Sequence, residues 1–366
     1  MQLVEHMRLP TSGARGVETF TIGDERYLAI PQLAEDVSID PADMNGGNSD
    51  VDAIIYKWVD DTFVEFQRLP SHGGEQICFN FIDNCPTLSI ANIRSGKNPE
   101  FDMHCYAALY MWSEGRFEPA QQLPAYACKS AHIFTHKNDS FLACSEGVFL
   151  PNQDEKIDTN SHLYLWSGSQ FDPLQTLRTK WGYDITTFEI GDRLFLGIAD
   201  NSAPSVIYEW RNNELTPVQS FFPNGGGRGF CHFIINNEHY VAAANLLNDS
   251  ALYQWDGKQF SPIQMFSDAG ARHFHFLKTR RACYLFRTNF ITGTREEPTT
   301  QLESQIYKWE NNQFVEHARY TTYGGTQSAS FSEKDQYYLA VSNSLAPDSR
   351  FKVDSVIYKI LEAKSP

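Results

Sequence analysis

Arg228, Arg272 and Asp184, together with His232 and His275, are side chains of the kind a small-molecule site needs. Arginine grips carboxylates and phosphates through a planar fork of donors. An imidazole near neutral pH can exchange protons or bind a metal. His232 and His275 read as the same strand position in adjacent repeats. His273 lies two residues before His275, so on a strand it points the same way. If the chain is an enzyme, these side chains would act on a small, anionic substrate. A broader set starts the equivalent strand of each repeat: Arg15, Gln76, Lys129, Tyr183, Arg228, Arg272 and Gln327, with Glu18 and His273 beside them. That set suits a carboxylate or another anionic ligand. Asp184, Asp200 and Glu146 offer oxygen ligands for a hard cation such as Ca²⁺. Each group also has a structural reading. The arginines would pair with nearby acids, the histidines would bond between strands, and the polar strand ends would cap backbone groups.

The element that must position these residues is a repeat. Ile55-Tyr56-Lys57-Trp58 returns at 109–112, 163–166, 207–210, 252–255 and 306–309, and in worn form as Ile357-Tyr358-Lys359-Ile360. The tyrosines are 54, 54, 44, 45, 54 and 51 residues apart, and a period in this range marks a repeat architecture. Around each copy lie four segments of alternating apolar residues, such as 76–81, 87–91, 109–112 and 117–123, separated by Gly, Asn and Asp turns. Four strands in each of seven units give an all-β, seven-bladed β-propeller in a single domain. The blades are expected near 11–70, 71–124, 125–177, 178–222, 223–266, 267–320, and 321–366 plus 1–10. The seventh unit ends before its fourth strand. Residues 3–10 match 63–70, the fourth strand of the first unit, at five of eight positions. The N-terminal strand is therefore expected to complete the last blade and close the ring, which removes exposed sheet edges. The connections from second to third strand are long at 33–52, 93–106, 147–161, 290–304 and 344–354 and short at 201–205 and 246–250. One face of the ring should thus be rich in loops, with a low rim at the fourth and fifth blades, and binding usually sits on such loops. The glycine-rich stretch 224–229 precedes a strand and not a helix, so it reads as a turn and not as a phosphate loop.

Tyr338-Leu-Ala-Val-Ser-Asn343, Ile306-Tyr-Lys-Trp309 and Phe171-Asp-Pro-Leu-Gln175-Thr-Leu177 resemble the EAR (epilepsy-associated, or epitempin) repeat, and the resemblance covers essentially the whole chain. It implies a seven-bladed propeller and a protein-binding role, since family members bind cell-surface partner proteins. It also implies an acidic residue early in the first strand. At that place this chain reads Gly16, Ile77, Ser130, Asp184, Gly229, Arg272 and Gln327, so Asp184 alone keeps the acid.

Composition narrows the partners. The formal net charge of -15 and the lack of a dense Lys/Arg run argue against nucleic acid. No stretch approaches the roughly 20 apolar residues of a membrane helix, and the N-terminus does not read as a signal peptide. Seven cysteines without regular spacing suggest reduced thiols, and hence the cytoplasm. A monomer is expected. The leading reading is a propeller that binds a protein or small ligand at its loop-rich face and channel mouth. The alternative is an enzyme with its site at that mouth.

Overall fold

In the computed structural model, residues 1–37, 46–148, 160–294, 297–348 and 350–362 are described. The expected long connections 33–52, 147–161, 290–304 and 344–354 fall partly outside them. Among the described residues the regular structure is all strand. It forms seven antiparallel four-stranded sheets over 18–69, 74–126, 130–178, 182–221, 227–266, 271–323, and 325–361 with 2–9. We call these blades 1 to 7. Two short ribbons, Ser95–Lys97 with Glu100–Asp102 and Thr292–Gly293 with Pro298–Thr299, project from the connections of blades 2 and 6.

Ring closure follows the sequence reading. Gln2–Leu9 pairs antiparallel with Ser355–Leu361 and is the outer strand of blade 7. The short connections of blades 4 and 5 are also present, at 201–204 and 246–249.

The core lies between blades, where the apolar faces of neighbouring sheets meet. The tetrapeptide forms the third strand of each blade. Its tryptophan sits edge-on to the phenylalanine that opens the outer strand, with centroids 4.8 Å apart for Trp58 and Phe63 and 4.9 Å for Trp309 and Phe314. The same ring reaches the preceding blade, as in Trp112 with Tyr27 at 5.8 Å and Trp309 with Tyr240 at 5.3 Å. Edge-to-face pairs of this kind add about 0.5–1.5 kcal/mol beyond the area they bury. Four residues after that phenylalanine comes a glutamine that clamps one blade to the next. Gln121 donates to Phe171 O (3.0 Å) and accepts from Phe171 N (2.8 Å). Gln67, Gln175, Gln219 and Gln264 repeat the double bond at 2.7–3.0 Å. Blade 6 has Ala318 at this position and blade 7 has Met7, so the two junctions of blade 7 lack the clamp.

In six blades the polar residue ending the second strand ties its blade to the turn that enters it, and in blade 6 Arg287 makes that tie, to Ser267 O, while Asn289 bonds Glu303 O. Asn92 accepts from His72 N at 2.8 Å and donates to Tyr106 O at 2.9 Å. Gln32 and Asn343 make the same pair of contacts. The structural reading of these positions holds.

Candidate functional site

The inner strand of each blade lines a central channel, and a β-bulge near its start decides which side chains reach the mouth. In blade 2, Gly74 pairs with Asn92 and Gln76 with Ala91, so Glu75 is the extra residue. The same skip leaves out Arg228, Arg272 and Thr326 in blades 5, 6 and 7, and Tyr183 lies in the irregular step of blade 4. Arg15 and Lys129 occupy the equivalent places, their amides bonded to Pro31 O (3.0 Å) and Ser145 O (2.9 Å). A bulge re-aims one side chain and bends the strand. Here seven bulge residues converge on one axis and line a small space of about 30 Å³.

This register corrects the sequence reading in two blades. Gln76 and Gln327 stand one residue deeper than the ring, and Glu75 and Thr326 take the places assigned to them. The position expected to carry an acid is filled in blade 2 by Gln76 and not Ile77, and in blade 6 by His273 and not Arg272. Asp184 still provides the acid of that layer.

The ring is cationic around one carboxylate. Glu75 Oε1 lies 2.9 Å from Lys129 Nζ and 3.5 Å from Arg15 Nε, and Oε2 lies 3.3 Å from an Arg272 guanidinium nitrogen. Arg272 also donates to the Tyr183 hydroxyl at 2.6 Å. Arg228 stacks over the Tyr183 ring, 4.1 Å from its centroid, and donates to Asn201 Oδ1. Arg15, Lys129, Arg228 and Arg272 are each only 7% exposed, so four cations face one acid in a largely dry setting. Arg228 Nε has no hydrogen-bond partner, and Arg15 Nε has only the long contact to Glu75. Burial would raise the Glu75 pKa, but Lys129, Arg15 and Arg272 outweigh it and hold the carboxyl far below its usual range. Burial would likewise raise Tyr183, yet Arg272, Lys129 and Arg228 bring its phenol down to about 7. Burial lowers Arg228 to about 10, so it stays charged at neutral pH.

Beneath the ring opens a chamber of about 460 Å³. Gln76, Asp184, His273 and Gln327 line both spaces, so the two adjoin at these four side chains. Gln76 donates to Asp184 Oδ1 at 3.1 Å and accepts from Ala131 N at 3.2 Å. Gln327 accepts from Val17 N at 3.0 Å. Enclosure raises Asp184 to about 7 against the pull of Arg272, and raises Glu18, two residues below Gly16, to about 8 against one backbone hydrogen bond from Phe79. His273 Nδ1 is buried without a partner, and burial lowers its imidazole to about 3.

The shared strand position read from the sequence for His232 and His275 does not hold. His232 pairs with Val241 and His275 with Phe286, so they stand one residue out of step and face opposite sides of their sheets. His232 stacks on Phe188 at 4.4 Å and meets His239 at 3.0 Å. His275 bonds Ser330 Oγ at 2.8 Å and Ser330 N at 3.1 Å, an inter-blade role. Arg228, Arg272, Asp184 and His273 therefore come together, while His232 does not join them. The trio Asp184, Asp200 and Glu146 is also spread apart in function. Asp200 accepts from Lys180, Trp181, Ser202 and Ala203 amides, and Glu146 accepts from Tyr126 N and pairs with His162 at 2.7 Å. No group of three or more His, Cys, Asp or Glu side chains among the described residues converges to hold a metal.

Glu75 and Thr326 were missed because a bulge leaves no mark in strand alternation. A signal for it exists: every ring residue precedes the polar residue ending the second strand by seventeen positions, from Arg15 and Gln32 to Thr326 and Asn343.

Comparison with known proteins agrees with this architecture. The EPTP domain model matches residues 2–59, 170–211 and 218–256. The human thrombospondin-type laminin G domain and EAR repeat-containing protein is 27% identical over 202 residues, 54% of this chain and 27% of that protein. Its Mus musculus counterpart is 24% identical over 201 residues, with the same coverage of each. The match thus spans about a quarter of each relative's length. Among solved structures, BBS1N in complex with ARL6DN, soaked with lead, aligns over 99% of this chain and 98% of that one, with a TM-score of 0.62 at 11% identity, a likeness of fold alone. With its repeats and seven closed blades, the chain is a seven-bladed β-propeller whose sequence is similar to the EPTP domain and to EAR repeat-containing proteins.

Proposed function

We propose that this propeller is a binding module that anchors an anionic group, a carboxylate or phosphate, of its ligand or partner on the cationic ring at the channel mouth. The observation that carries the reading is the charge imbalance of the ring: Arg15, Lys129, Arg228 and Arg272 surround a single carboxylate, and Arg228 Nε has no partner. Charges taken out of water are stable only when matched, so an unbalanced ring favours an incoming anion. Arginine supplies the forked geometry that carboxylate and phosphate oxygens accept. Ring and rim lie together, so an anionic side chain or terminus of a docking protein would reach the same place as a free ligand.

Calorimetric titration of the chain with inorganic phosphate and with propionate, at ionic strength fixed with chloride, tests this. Saturable binding that is lost in Arg228→Met is expected. Heats no larger than those of chloride, in a folded protein, would refute it.

The enzyme reading has one observation of its own. Cys78 Sγ lies 3.7 Å from His132 Nδ1 in the chamber, and His132 Nε2 lies 3.0 Å from Thr187 Oγ1. Burial pushes the thiol up and the imidazole down to about 4, so neither carries the charge that a thiolate–imidazolium pair needs. Rapid alkylation of Cys78 at neutral pH would revive that reading; inertness would remove it.

A further inference from the structure

The ring is half of a longer polar cavity, and the other half has the opposite character. The channel descends in layers set by the strand ladder. The cationic ring comes first, Asp184 stands one residue below it, and Glu18 stands in the next inward-facing layer. Two residues along a strand span about 6.6 Å, so the two carboxyls stand at neighbouring levels of the one chamber they both line, on blades 4 and 1. Neither has a cation at salt-bridge distance among the described residues. Asp184 has hydrogen bonds from Gln76 and the Ile185 backbone, and Glu18 one from the Phe79 backbone. Both keep part of their surface open to the chamber. Carboxyls enclosed with so few partners are costly when charged, and a cation placed beside them would remove that cost. His273, with its free Nδ1, spans the two halves.

We infer that ring and chamber together take a small dipolar ligand, with a carboxylate or phosphate on Arg228 and its neighbours and a cationic amine below it, against Asp184 and Glu18. This rests on the anion reading above and goes beyond it by naming the ligand's other end. Four ring cations make the mouth specific for an anion, and the two acids make the chamber reject a second one.

The test compares three probes of similar size on the full chain by calorimetry: β-alanine, which carries both charges, propionate, which carries only the anion, and ethylamine, which carries only the cation. β-Alanine should bind at least about tenfold more tightly than propionate, an advantage of about 1.4 kcal/mol, and ethylamine should bind more weakly than either. In the double variant Glu18→Gln, Asp184→Asn the advantage of β-alanine should vanish, with propionate bound at least as tightly as by the wild-type chain. If β-alanine and propionate bind equally to the wild-type chain, the inference is overturned while the anion reading stands. If neither binds, both fall. Should the double variant fail to fold, the three probes on the wild-type chain decide alone.

Discussion

Replacing Glu75 by glutamine isolates the electrostatics of the ring. The carboxylate touches Lys129 at 2.9 Å, Arg272 at 3.3 Å and Arg15 at 3.5 Å, and all four side chains are buried. Glutamine keeps the volume and one acceptor oxygen but removes the charge. Breaking a buried ion pair by removing one partner costs about 3–5 kcal/mol, and the isosteric change places Glu75→Gln near the lower end. The loss should be recoverable. Phosphate at a hundred times its dissociation constant returns about 2.7 kcal/mol, provided it sits where the carboxylate was. The variant should also bind phosphate at least about tenfold more tightly than wild type, because one buried negative charge no longer repels it. The assay is chemical denaturation of both proteins in phosphate and in chloride at equal ionic strength. The sign with pH follows from the depressed Glu75 pKa. Its stabilisation is present above the unfolded carboxylate value of about 4.3 and is lost only as pH falls well below it. The gap between the two proteins should therefore hold from about pH 8 to about pH 5. Equal stability of the two, or an equal phosphate effect on both, would refute the balance drawn for the ring.

Other outcomes follow from the same geometry. Anion affinity should fall as pH rises through about 7, where Tyr183 becomes a phenolate and a second internal counter-ion, and Tyr183→Phe should remove that dependence; tyrosinate absorbance gives an independent check. Glu18 has a raised pKa, so the wild-type chain should lose stability relative to Glu18→Gln as pH rises from about 4.3 towards 8 and show no further loss above it, measured by denaturation midpoints. Gln121→Ala leaves Phe171 N and O without their partner and should cost about 1–3 kcal/mol, with no effect on anion binding. Deleting residues 1–9 strips the outer strand from blade 7, whose junctions lack the glutamine clamp, and should abolish cooperative unfolding; a deletion variant melting at the full-length temperature would contradict the closure role.

Much of the fold was legible because its signals repeat. Ile-Tyr-x-Trp marked seven third strands, and the worn copy at Ile357 pointed to the strand at Gln2–Leu9 that closes the ring. The second-strand polar ends were also readable, since Asn92, Gln32 and Asn343 bond backbone groups in the same way. Asp200 and Glu146 do this work too, accepting from the Lys180 and Tyr126 amides. The site was legible in residue type but slipped in register. Strand alternation has a period of two, so an error of one residue turns a side chain to the other face. His232 was aligned with His275 although it stands one step further along its strand, and that step takes it out of the channel and onto Phe188.

The bulge explains why the chemistry gathers where the repeats disagree. The residue two places further along packs between blades and is apolar in six copies, as Val17, Ile77, Ala131, Ile185, Phe230 and Phe274. A bulge residue pairs with nothing across the ladder and points into the channel, where packing does not dictate its type. That position is Arg in three blades and Glu, Lys, Tyr or Thr in the others, and Thr326 also bonds Ala14 O and Ser342 Oγ, so its replacement carries a cost of its own. The carboxylate of Glu75 can then come from any blade, provided one acid stands among the cations to keep the empty ring folded. On this argument, moving the acid from blade 2 to the bulge of blade 7, as Glu75→Thr with Thr326→Glu, should preserve much of the stability that Glu75→Thr alone loses. Denaturation midpoints of the single and double variants measure this, and a double variant no more stable than the single one would show that the ring depends on the particular geometry of Glu75 and not on its net charge.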